Sequence, residues 1–187
     1  MLRPSISVLV WIFALSELGL HIFKRSRVGA VSKDGKSLAL IFILIAICSW
    51  LAGFFMAKEP SWTLPHKSQF YFLGLALFVA GFVVRWWAII YLGKFFTTKV
   101  MISPDQRVIN SGPYRYIRHP SYTGSLLITL GIGFCLGNIG SLLILAACAF
   151  FSLWRRILVE EAALIDAFGD QYRVYMTKTK RLVPLIY

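Results

Sequence analysis

Two short clusters hold the residue types best suited to chemistry. The first, Gly112 to Gly124, reads Gly-Pro-Tyr-Arg-Tyr-Ile-Arg-His-Pro-Ser-Tyr-Thr-Gly, with two arginines, a histidine, three tyrosines and two prolines. The second is Arg156 with Glu160 and Glu161, where a spacing of four puts Arg156 and Glu160 on one helix face. Guanidinium and carboxylate groups make charge-assisted hydrogen bonds, and aromatic rings attract cations. A polar, stiff, ring-rich loop held at a membrane surface is a good place to bind a ligand. Each cluster also has a plainer reading. The first is an ordinary turn whose basic residues are held by topology, and the second is an ion pair on a solvated helix.

The elements that must position these clusters are apolar. The chain has 187 residues, is 58% hydrophobic and has a mean hydropathy of +0.69. A soluble domain of this size has too little interior for so many apolar side chains, which points to lipid as the solvent. The net charge of +12 is gathered in short clusters between apolar runs. That is the pattern of membrane topology and argues against a nucleic-acid partner. Cys48, Cys135 and Cys148 all lie in apolar runs with no C-x-x-C pair, so neither a disulfide framework nor a metal site is expected.

Five spans are expected. Ser5 to Phe23 is long enough to cross, since about 20 residues are needed, and no signal-type cleavage site follows it. Within it Glu17 and His21 stand one turn apart and are able to pair. Ser37 to Ala57 is the second span. Gln69 to Leu92 is the third and contains Arg85, which either snorkels to the interface or points into a polar site. Pro113 and Pro120 keep the 112–124 stretch from continuing a helix. Ser121 to Leu136 and Ile139 to Leu158 form a hairpin of short spans around a Gly137-Asn138 turn. The helical pattern then runs on to Phe168, giving a helix of about 45 Å from Ile139, with Gly169 as an αL terminator. A second amphipathic piece covers Asp170 to Thr177.

Positive charge orients the chain. Loop 24–36, loop 93–120 and segment 155–187 hold sixteen of the twenty Lys and Arg residues and share one side if there are five spans. The positive-inside rule then places them in the cytoplasm, with the amino terminus outside. Because a short hairpin joins the fourth and fifth spans, the two clusters must lie near each other.

On these residues the sequence resembles the isoprenylcysteine carboxyl methyltransferase family of integral membrane enzymes. The resemblance runs from Arg85 to Tyr187. Its marks are Gly112-Pro-Tyr114, Arg118-His-Pro-Ser-Tyr122-x-Gly124, Arg156-x-x-x-Glu-Glu161, Phe168-Gly-x-x-Tyr172-x-x-Tyr175 and Arg181-Leu-x-Pro184. It implies one membrane-embedded, all-α domain over residues 1–187. In it, 1–68 supplies two motif-free spans and 69–187 the methyltransferase core. Its cytoplasmic cofactor pocket lies between the loop before the fourth transmembrane helix and the extension of the fifth. The implied cofactor is S-adenosylmethionine. Carried over residue by residue, His119, Pro120, Ser121 and Tyr122 match the cofactor-binding His-Pro-x-Tyr. Tyr114, Lys99 and the segment Gln106, Arg107, Val108 and Ile109 match further contacts. Glu160 matches the acidic cofactor ligand and Arg156 the group that faces a substrate carboxylate, with Glu161 and Arg118 as additional candidates. The implied acceptor is the carboxylate of an isoprenylated cysteine or a similar amphiphile taken from the membrane. Phospholipid amine N-methyltransferases and membrane thiol S-methyltransferases have a similar arrangement, and a non-catalytic membrane module that keeps the fold is a third reading.

Overall fold

The computed structural model describes residues 4–23, 31–32, 47–48, 50–55, 57–58, 60–97, 101–102 and 107–183. The expected second span, Ser37 to Ala57, falls largely outside them, as does the side chain of His21. Five described helices carry the architecture. They are α1 (Ile6–Phe23), α2 (Lys67–Leu92), α3 (Pro120–Leu136), α4 (Ile139–Phe168) and α5 (Asp170–Lys178). The segments Lys67–Phe95 and Ile139–Phe168 are long and apolar enough to cross a membrane, while Ile6–Leu20 and Pro120–Leu136 are shorter apolar helices.

The central packing is a glycine seam between α2 and α3. A methyl group at Gly74 would lie 2.5 Å from the Gly131 carbonyl oxygen, and one at Gly81 would lie 2.6 Å from that of Gly124. Gly124 and Gly131 would meet α2 equally closely, so two antiparallel backbones touch directly. Lipid supplies no hydrophobic drive between helices, and small residues that allow close approach supply dispersion contacts instead. Leu9 and Phe13 of α1 pack with Tyr71, Phe78, Ile128 and Cys135 beside this seam.

The two ends of the bundle sort the loops. At one end Leu64 N–H donates to the Gly137 carbonyl at 2.8 Å, and Thr63 bridges to Asn138. At the other, a two-residue antiparallel ladder joins β1 (Val31–Ser32) to β2 (Met101–Ile102). This short ladder is an addition to the all-helical expectation, and it ties loop 24–36 to loop 93–120.

Helix α4 starts cleanly, with the Asn138 side chain accepting from Ser141 N–H at 3.0 Å. Its 30 residues make it longer than the apolar core of a bilayer, about 30 Å thick. It stops at Gly169, whose φ of 52° and ψ of −126° correct the αL expectation. The positive φ still selects glycine, which has no Cβ to clash.

Because the seam is backbone against backbone, Gly81→Ala should lower the detergent-solubilised thermal midpoint, with overpacking costing about 1–3 kcal/mol. Gly19→Ala, where an added methyl meets nothing within 4 Å, should leave the midpoint unchanged.

Candidate active site

Where α4 continues beyond the apolar region it faces the loop that enters α3. A pocket opens there, holding about 880 Å³ of empty space with its mouth included. Its walls come from the end of α2 and the following turn, from residues 107–109, from the 114–122 stretch, and from α4 and α5.

One buried carboxylate builds this corner. Glu161 Oε1 accepts from Arg118 Nε at 2.8 Å and lies 3.3 Å from His119 Nε2. Its Oε2 accepts from Arg181 Nε at 3.0 Å and Nη2 at 2.8 Å. Burial alone would raise the Glu161 pKa, but the hydrogen bonds from His119, Arg181 and Arg118 outweigh it and lower the value to about 2. Main-chain bonds finish the junction. Arg118 N–H donates to the Lys180 carbonyl at 2.8 Å and His119 N–H to that of Arg181 at 3.0 Å. Arg118 also donates to the carbonyls of Met176 and Thr179, and Thr123 Oγ1 donates to Leu182 O at 2.7 Å. The 118–123 segment is thus clamped between α4 and the chain after α5.

On the pocket side of this brace sits Tyr122. Its hydroxyl donates to Glu160 Oε2 at 2.5 Å and accepts from Arg156 Nε at 3.3 Å. Its ring stacks on His119 with centroids 5.4 Å apart and planes 14° from parallel. Arg156 is only 6% exposed, which excludes a solvated surface pair. The Glu160 carboxylate is 32% exposed and belongs to the pocket wall. Behind Tyr114, a relay of hydroxyls fixes the back wall. Tyr175 donates to the Tyr114 carbonyl at 2.6 Å, and Tyr114 donates to the Ala88 carbonyl at 3.3 Å. Burial pushes the Tyr114 and Tyr172 phenols up and that of Tyr175 up to about 12, so Tyr114 and Tyr175 keep the protons they donate at neutral pH.

The structure brings together most of the residues singled out from sequence. Arg107, Val108, Ile109, Tyr114, Arg118, His119, Ser121, Tyr122, Arg156 and Glu160 all line the pocket. Two of the expected contacts, Lys99 and Gln106, fall outside the described residues. Pro120 is fully buried at the first turn of α3 and is not among the lining residues. There its fixed φ and missing N–H cost nothing, so its place is structural. Glu161 is likewise behind the wall. The walls also include Leu92, Phe95, Phe96, Thr97, Leu164, Tyr172 and Tyr175, which sequence reasoning did not assign to the site. Leu164 was readable, since it follows Glu160 by four residues on the same helix face. Phe95 to Thr97 carried no signal.

Fold and site together define a helical membrane protein with a polar pocket at one end of its bundle. The profile of the isoprenylcysteine carboxyl methyltransferase (ICMT) family matches residues 73–166, and the chain belongs to that family. A protein-S-isoprenylcysteine O-methyltransferase of Schizosaccharomyces pombe is 31% identical over 155 residues, 81% of this chain and 61% of the relative. Protein-S-isoprenylcysteine O-methyltransferase A of Arabidopsis thaliana is 30% identical over 152 residues, 80% of this chain and 74% of the relative. The solved structure of a eukaryotic intramembrane Ras methyltransferase ICMT matches with a TM-score of 0.75 at 24% identity, over 97% of this chain and 65% of that one. That likeness establishes the fold. The chain therefore spans under two thirds of the yeast relative and of the solved structure.

The Glu161 junction makes a pH-dependent prediction. A carboxyl lowered from 4.5 to about 2 adds stability that is complete above the ordinary carboxylate range and fades as pH falls toward 2. The wild-type thermal midpoint in detergent should therefore fall between those limits. Glu161→Gln should start lower at neutral pH, since breaking a buried pair costs about 3–5 kcal/mol, and should lack this acid-dependent loss.

Proposed function

We propose that this chain transfers a methyl group from S-adenosylmethionine to the carboxylate of an isoprenylated cysteine or a similar small amphiphile drawn from the membrane. The observation that carries this reading is the Glu160–Tyr122–Arg156 array, an acid, a ring and a buried cation joined through one hydroxyl beside apolar helices. Family membership and the activities for which the relatives are named support it.

The residues present fit such a cofactor. It carries hydroxyls, an ammonium and a sulfonium, and it supplies an electrophilic methyl. Glu160, the partly open carboxylate of the wall, suits the hydroxyl or ammonium groups through charge-assisted bonds. The Tyr122 ring, held flat by His119, suits a cation at its face. Arg156 offers a planar fork to a substrate carboxylate and would repel the ammonium of a phospholipid amine, which favours the carboxylate acceptor over that alternative. A carboxylate is already ionised near pH 7, so no residue of this chain has to remove a proton. The protein's share is alignment and exclusion of water in a closed pocket.

We further propose that five helices cross the bilayer and that the pocket faces the cytoplasm. The ladder between loops 24–36 and 93–120 and the opposite-end contacts of Thr63 and Leu64 agree with the charge count. Thiol labelling of intact cells should reach a cysteine placed at Ser61 and miss one at Lys178. The reverse pattern would put the pocket on the wrong side for a cytosolic cofactor.

Purified protein with labelled cofactor should produce a base-labile methyl ester on a prenylcysteine acceptor. Labelled phosphatidylethanolamine without any ester would overturn the acceptor assignment. In the same assay Glu160→Gln should weaken cofactor binding by about 1.5–3 kcal/mol, the worth of a bond to a charged group. Arg156→Lys keeps the charge but loses the fork, and it should cut turnover while sparing cofactor affinity.

A further inference from the structure

Arg85 lies about two turns before the end of the apolar helix α2, yet its side chain is only 9% exposed. Its Nε donates to Glu17 Oε1 at 2.7 Å and its Nη2 to Oε2 at 2.6 Å, a two-pronged pairing that reaches from α2 to α1. The third nitrogen, Nη1, turns the other way. It donates to the Ser121 carbonyl at 3.1 Å, to Ser121 Oγ at 2.9 Å and to Ser125 Oγ at 2.7 Å. Ser125 Oγ in turn donates back to the Ser121 carbonyl at 3.2 Å. Beside it, Trp86 Nε1 donates to Ser16 Oγ at 3.2 Å, a second polar link between α1 and α2.

We infer that Arg85 is a positioning residue for the cofactor pocket, with Glu17 as its counter-ion. This rests on the methyltransferase reading above. Ser121 lines the pocket and is the second residue of α3, so the guanidinium holds the first turn of that helix from behind. There is no slack at this point, because a methyl at Gly124 would lie 2.6 Å from the Arg85 backbone nitrogen. Stability alone explains the arrangement poorly. A buried ion pair is often no more stabilising than apolar residues of the same volume, and ionisable groups within spans are usually retained for function. Three bonds converging on one turn set the place of Ser121 and, next to it, of Tyr122. The motif-free helix α1 thereby becomes part of the site through Glu17.

The test measures S-adenosylmethionine affinity by calorimetry, and thermal midpoint, for detergent-solubilised Glu17→Gln, Arg85→Gln, the double variant and Arg85→Lys. Arg85→Gln should weaken binding about tenfold, the equivalent of one bond to a charged group. Glu17→Gln should lower the midpoint more than the affinity, since Arg85 still reaches Ser121. The double variant removes both charges. Its midpoint should recover toward wild type while its affinity stays weak. Arg85→Lys keeps a buried cation beside Glu17 but cannot span to Ser121, so it should fold and still bind weakly. Recovery of affinity together with midpoint in the double variant, or wild-type affinity in Arg85→Lys, would overturn the inference and leave the function standing. A wild-type chain that fails to bind the cofactor would overturn both.

Discussion

The Glu161 carboxylate is the point on which the site depends. It is nearly sealed from water, and a lone charge there would carry a desolvation penalty of several kcal/mol. Arg118, His119 and Arg181 surround it. Carboxylate and partners come from three stretches far apart in sequence: Glu161 from the extension of α4, Arg118 and His119 from the loop before α3, and Arg181 from the chain after α5. The penalty is offset only when all three are in register, so the same charge that threatens the fold specifies it. The neighbouring Glu160 is freed from that duty and faces the pocket. One residue braces and the next one lines the pocket.

Away from this junction the fold relies on shape. The α2–α3 seam has no side chains between its glycines, so the two helices hold one separation and one register. That fixed register brings Arg85 level with Ser121. The apolar half of the molecule thereby delivers a polar contact to the pocket at a defined depth. Precision at the water-facing end is inherited from packing inside the lipid-facing part.

Much of this was readable beforehand, for physical reasons. A two-residue turn at Gly137-Asn138 leaves a following helix nowhere to go but back along its predecessor, so the meeting of the 112–124 stretch with Arg156 and Glu160 followed from loop length. The unbroken run of α4 to Phe168 followed from unbroken periodicity. Division of labour between Glu160 and Glu161 did not follow, because adjacent helical residues point about 100° apart and nothing local says which direction is the pocket. Spacing offered His21 as a partner for Glu17, a pairing that lies outside the described residues, but it did not offer the pairing of that carboxylate with Arg85 on another helix. Spacing along one helix cannot report a contact across two. The ladder at Val31–Ser32 was invisible because two residues carry no alternation.

The clamp on the 118–123 segment has a consequence for how the molecule is made. Chains enter the bilayer from the amino-terminal end, and domains fold in that order as they emerge. Helices α2 and α3 can close their glycine seam as soon as α3 is inserted. The pocket cannot close then, because the carbonyls that hold Arg118, His119 and Thr123 belong to residues 180–182. Between those two moments Arg118 and His119 have no Glu161 and no tail to meet. In order of synthesis the partners of the α2–α3 seam are therefore complete before those of the pocket, whose clamp waits for Arg181 and the carbonyls beside it.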